Sequence, residues 1–157
     1  MFEYRRGGGC DSEVGIAKLD DVLKPRGFSV RKSFGAVSNL DKLRETCVDE
    51  RKSYPIVGVA PEYFTEQAAG YKVEGRPRMD HALIVLKVAS DNQTVTFFDP
   101  FENYLRKANV KIVVTELPSV RFNGYWGHAD RGYWMAWIEP VSRQLESFDE
   151  DGSGGAP

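Results

Sequence analysis

Apolar and polar positions along the chain change period several times. In DSEVGIAKLDDVLKPRGF, Val14, Ile16, Ala17, Leu19, Val22 and Leu23 recur near 3.6 residues, the spacing of a helix with one buried face. Asp11 or Ser12 can cap it, Glu13 adds charge to its first turn, and Pro25 with Gly27 stops it. FSVRKSF alternates as a short strand. SNLDKLRETCVDERK returns to a helical pattern, with Ser38 or Asn39 as cap and Leu40, Leu43 and Cys47 on one face. YPIVGVA is apolar almost throughout, which predicts a strand buried on both sides. Further strands are expected over 82–89 and 94–99, joined by a turn at SDNQ, then in NVKIVVTEL and in GYWMAWIEP. In the last of these Tyr133, Met135 and Trp137 alternate with Trp134, Ala136 and Ile138.

Two stretches have neither period. PEYFTEQAAGYKVEGRPRM, over 61–79, is polar, aromatic and rich in Gly and Pro, and reads as a long loop of the kind that covers functional sites. From Val141 the chain turns polar and ends DEDGSGGAP, so 141–157 is expected to be a disordered tail. Helices come first and mostly consecutive strands follow, with no internal repeat. The expected fold class is α+β, with helices packed on one side of an antiparallel sheet, in a single domain over residues 1–140.

Composition narrows the function classes. With 41% hydrophobic and 12% aromatic residues, the 157-residue chain can build a real core. Lys and Arg total 21 against 23 Asp and Glu, so there is no basic footprint for nucleic acid and no polybasic patch for a membrane. No apolar run approaches the roughly 20 residues that span a bilayer. The arginines of MFEYRRGGGCDSEV precede no apolar segment, so no signal peptide is read and a cytoplasmic location is expected. Two cysteines, Cys10 and Cys47, are too few for a disulfide framework.

Candidate chemistry centres on MDHALIVLKVASDNQTVTFFDPF. His81 stands at the head of one expected strand and Asp99, followed by Pro100, at the end of the next. A neutral histidine can take a proton from a nucleophile, and a carboxylate on its other nitrogen fixes the tautomer and stabilises the imidazolium. Residues two apart in a strand share a face, so the turn decides whether the two meet. A two- or four-residue loop centred on Asp91-Asn92 puts Asp99 on the face opposite His81. A three-residue loop, or a bulge, pairs His81 with Phe101 and makes Asp99 its same-face diagonal neighbour, roughly 7–8 Å away between backbones. The plainer alternative is a half-exposed strand-end histidine beside an Asp-Pro turn.

The segments YPIVGVA, DHALIVLKV and TVTFFDPF, in that order, resemble the papain-like C39 family of cysteine peptidases and their relatives. Upstream, GIAKLDDVLKPRGFSV is similar to that family's helix ending in Gly-Phe, and RFNGYWG and YWMAWIEP are similar to its closing segment. The resemblance covers roughly residues 10–140. It implies a papain-like fold and a cysteine hydrolase acting on a peptide or protein substrate, with His81 as base, Asp99 as its orienting partner and no cofactor. The family places its cysteine at a helix start, as Asp-Cys-Gly after a Gln. Cys10 precedes a helix, but its setting is GGGCDSEV and the glutamines are Gln67, Gln93 and Gln144. Two readings follow: a hydrolase with a Cys10-His81-Asp99 triad, or a catalytically inactive domain of the same fold that binds a peptide.

Other residues have plainer roles. Cys47, late in a helix on its apolar face, is expected in the core. His128 in YWGHADRG reads as a surface histidine, with substrate contact as its functional alternative. Cys10, Cys47, His81 and His128 show no finger-like spacing, so no zinc site is expected. RRGGGC lacks the Gly-Lys-Ser/Thr of a phosphate loop. The aromatics Tyr125, Trp126, Tyr133, Trp134 and Trp137 are expected to pack the core and sheet rather than form a ligand platform.

Overall fold

The helical period of the first segment is realised as α1, Ser12–Leu23, in a computed structural model that describes residues 12–60, 62–63, 81–100, 114–129 and 131–141. A 3-10 turn over Lys24–Arg26 accommodates Pro25, and Gly27 closes it in the left-handed region at φ 84. The expected cap at Asp11, the expected strand over 109–113, most of the loop 61–79 and the expected tail over 142–157 lie outside the described residues.

The chain divides into two compact units, Met1–Arg31 with Ile138–Pro157, and Lys32–Trp137. In the first, the chain turns from α1 into β1, Phe28–Ser33, and the Val30 amide donates to Asp20 Oδ1 at 2.8 Å. That bond, with Lys24 at 2.9 Å as the lesser cause, holds the Asp20 carboxyl below its ordinary pKa. The Val141 amide donates to the Gly27 carbonyl at 2.9 Å.

The second unit holds α2, Leu40–Thr46, capped by the Asn39 side chain, which accepts from the Lys42 amide at 2.9 Å. The sequence predicts a helix running to Lys52; the structure ends it at Thr46. Val48 instead exchanges two backbone hydrogen bonds with Ser53, at 2.8 and 3.0 Å, around a 3-10 turn closed by Lys52 at φ 50. Those bonds take the place of the helical ladder. The strands are β2 (Ile56–Val59), β3 (His81–Val88), β4 (Thr94–Phe98), β5 (Val114–Pro118) and the first residues of β6 (Met135–Pro140). They pair antiparallel in the order β6-β2-β3-β4-β5. β2 buries Val57, Gly58 and Val59 in succession, as its all-apolar pattern requires.

A third helix, α3 over Ser119–Gly127, is absent from the sequence reading. Its residues SVRFNGYWG are poor helix formers. What holds it is packing: Phe122, Tyr125 and Trp126, at positions i, i+3 and i+4, are all buried. Phe122 lies 5.9 Å from the Phe97 ring of β4, centroid to centroid. Trp126 donates its indole N–H to the Trp134 carbonyl at 2.9 Å. Leu43 from α2 and these aromatics join Val57, Val59, Leu83, Val85, Val95 and Phe97 in one buried cluster. The described residues are thus α+β, and Tyr125, Trp126, Trp134 and Trp137 are buried packing residues.

Two glycines should respond oppositely to alanine. A Cβ on Gly132 would stand 2.8 Å from the backbone oxygen of Gly35, whose own amide bonds to Gly132. Gly124, inside α3, has nothing within 4 Å of a Cβ. Urea unfolding should show Gly132→Ala less stable by about 1–3 kcal/mol and Gly124→Ala more stable by about 0.5–1 kcal/mol.

Candidate functional site

The turn between β3 and β4 is the one that, alone, would separate His81 from Asp99. Ala89 pairs with Thr94 through a 3.0 Å backbone bond, leaving a four-residue turn over Ser90–Gln93, with Asn92 at φ 59. Next to the turn the register is Val88 with Val95 and Lys87 with Thr96. Continued unbroken, it would bring Asp99 opposite Ile84 and leave it on the wrong face.

A β-bulge corrects this. The register shifts between Val85 and Lys87, and beyond the shift Val85 pairs with Phe97 and Ile84 with Phe98. Leu86 is the extra residue on β3. Burial follows the shift: Leu83, Val85 and then Val88 are buried, a spacing of two and then three. On the far side of the bulge, His81, Leu83 and Val85 face the same way as Phe97 and Asp99. The bulge that the sequence left as one of two ways to join the pair is therefore present.

The two side chains meet. His81 Nε2 donates to Asp99 Oδ1 at 2.7 Å, with side-chain exposures of 13% and 1%. A carboxylate can only accept, so the proton between them starts on Nε2. Asp99 is the one charged side chain among the buried described residues. It stands one residue past β4, and His81 opens β3, where Val59 of β2 pairs with it. The ends of two neighbouring strands, anchored by the buried cluster, thus set both backbones.

Tyr63 is a site residue that the sequence reading missed, although it lies in the segment read as a lining loop. Its ring stacks on the His81 imidazole at 5.9 Å between centroids and 17° between planes. Tyr63 itself is buried, meeting Phe97 and Tyr125 edge-on at 5.9 and 5.7 Å. Its amide donates to the Ala60 carbonyl at 3.0 Å, which ties the start of the segment to the end of β2. An aromatic in a polar loop carries no periodic signal, so only its presence among the loop's aromatics could have pointed to it.

The other expected residues separate. Cys47 sits at the C-terminal end of α2 as a free thiol packed against the core, donating to the Leu43 carbonyl at 3.3 Å. Burial pushes its pKa up to about 12, and Asp49 adds to the shift. His128 is exposed just past α3, and its Nδ1–H donates to the Gly124 carbonyl at 2.6 Å, a helix-end contact. Cys10 lies outside the described residues. Among the described residues no three His, Cys, Asp or Glu gather as a metal site, and no helix is long and apolar enough to cross a membrane. Comparison with protein-family models finds no match, and comparison with curated proteins finds none either.

With its pKa near 12, folded Cys47 carries roughly a thousandfold less thiolate at neutral pH than an ordinary cysteine. Iodoacetamide should leave it unmodified in native protein and label it in urea. The unfolded thiol ionises from about pH 8.5, whereas the folded one keeps its proton to about 12, so its burial favours folding below that window and loses the advantage as pH rises through it. Urea midpoints should fall between about pH 8.5 and 10, and fall less steeply in Cys47→Ala.

Proposed function

We propose that the chain is a cysteine hydrolase of papain-like fold, acting on a peptide or amide bond. The observation that carries this reading is the His81–Asp99 bond. Burying a carboxylate costs free energy, and an apolar residue in its place would often be at least as stabilising. A buried acid spent on orienting one imidazole suits proton transfer better than it suits packing. With Nε2 directed to Asp99, the nitrogen that exchanges protons with a nucleophile is Nδ1.

Cys10 is the nucleophile in this reading. Its thiol proton passes to Nδ1 as the sulfur bonds to the carbonyl carbon of the substrate. The imidazolium, stabilised by Asp99, then protonates the leaving amine, and a thioester remains. Water attacks the thioester while His81 takes its proton. That proton returns to the sulfur as the acid leaves. Every proton is carried by His81, and no cofactor enters. Cys47 cannot substitute at neutral pH, because it keeps its proton.

The second reading, a peptide-binding domain without chemistry, is favoured by the setting of Cys10: in GGGCDSEV it has neither the Asp before it, nor the Gly after it, nor the upstream Gln of the family. One measurement separates the two. Alkylation of Cys10 by iodoacetamide is followed from pH 5 to 10 in the wild-type protein and in His81→Ala, with Cys47 as the silent internal control. A hydrolase gives fast labelling near pH 6 that collapses in His81→Ala. Labelling with an ordinary thiol pKa near ~8.5, indifferent to residue 81, leaves the binding domain.

A further inference from the structure

From the stacked ring pair we infer that Tyr63 is a positioning residue for His81: its ring face fixes the plane of the imidazole and keeps water from the bond to Asp99. A hydrogen bond at one ring nitrogen fixes that atom but not, by itself, the plane of the ring. Here the backbone of His81 is set by the β2–β3 pairing with Val59, and Nε2 is set by Asp99 Oδ1 at 2.7 Å. A ring stacked on the imidazole restricts rotation of its plane. Tyr63 supplies that face at 17° between planes, and its 5.9 Å centroid distance is that of an offset stack.

Tyr63 can do this because it is itself held. Phe97 and Tyr125 meet it edge-on from β4 and α3, and its amide is bonded to Ala60. Phe97 pairs with Val85 just beyond the bulge, and Asp99 lies two residues further along the same face. One side of Tyr63 is therefore referenced to the strand that carries the acid, and another to the ring it orients. The side chains of the pair are 13% and 1% exposed, so little water reaches the bond between them. At this burial the hydrogen bond gains from the low local dielectric, and admitting water would weaken it.

The positioning itself concerns the folded site and is measurable without any turnover. Only its catalytic meaning rests on the hydrolase reading, and a failure of that reading would appear in Cys10 labelling and not in the measurement below.

The test is NMR of selectively 15N-histidine-labelled protein. In the wild type, the His81 ring protons should be displaced upfield by the Tyr63 ring current, and the Nε2–H should give a downfield signal that exchanges slowly with water. Ring protons at unperturbed positions in the folded wild type would overturn the proposal with no variant needed. Tyr63→Phe keeps the ring face and should preserve the Nε2–H signal. Tyr63→Leu should speed its exchange about tenfold, the scale of one lost aromatic pair. Val95→Ala, which opens the core close to the β3–β4 turn, controls for general destabilisation and should leave the signal in place. Equal exchange in Tyr63→Leu and wild type, or equal loss in Val95→Ala and Tyr63→Leu, would reduce Tyr63 to a packing residue.

Discussion

A carboxylate with 1% of its side chain exposed needs a partner, and the arrangement around Asp99 follows from meeting that need. One partner is an imidazole 2.7 Å away on the neighbouring strand. To bring it there, β3 must present His81 on the face that carries Leu83 and Val85, and β4 must continue Phe97 to Asp99 on that same face. Neither strand can slip by one residue without turning its whole apolar set outward. The hydrophobic face and the polar pair therefore demand the same register, and each supports the other.

The bulge at Leu86 reconciles that register with the turn. Ser90–Gln93 closes through local bonds: the Asn92 amide to the Ala89 carbonyl at 2.8 Å, and the Gln93 amide to Asp91 Oδ1 at 3.0 Å. Arg44 and Asp41 of α2 hold the turn from outside through the Asn92 side chain. The Asn92 amide in turn holds the Asp41 carboxyl below its ordinary pKa, with Arg44 the lesser cause. A turn so anchored sets an even-length loop. The extra residue in β3, Leu86, absorbs the mismatch.

The same residues explain what the sequence could and could not show. Helix α1, its stop at Gly27, the Asn39 cap and the buried β2 strand were legible because each depends on nearby residues alone. The His81–Asp99 pair was legible as a candidate because both stand at strand ends beside turn residues. The bulge was not, because HALIVLKV is apolar at nearly every position and a shift from spacing two to spacing three leaves no trace in it. Helix α3 was hidden for the opposite reason: Gly124, Asn123 and Val120 argue locally against a helix, and the Phe122, Tyr125 and Trp126 face becomes decisive only with a sheet beneath it. Tyr63 was hidden because its role is entirely tertiary.

The site's polar and apolar parts also divide the chemistry. Cys47 is partly buried against the core cluster, and that burial raises its pKa to about 12. Burial also bears on Asp99, whose Oδ1 accepts from the His81 ring at 2.7 Å. Burial thus raises the pKa of the thiol, while the buried acid has a ring N–H within hydrogen-bond distance. In the proposed chemistry, a histidine held in this way serves a nucleophile that can ionise near neutral pH. Cys47 keeps its proton at neutral pH, so the proposed chemistry rests on Cys10 as nucleophile.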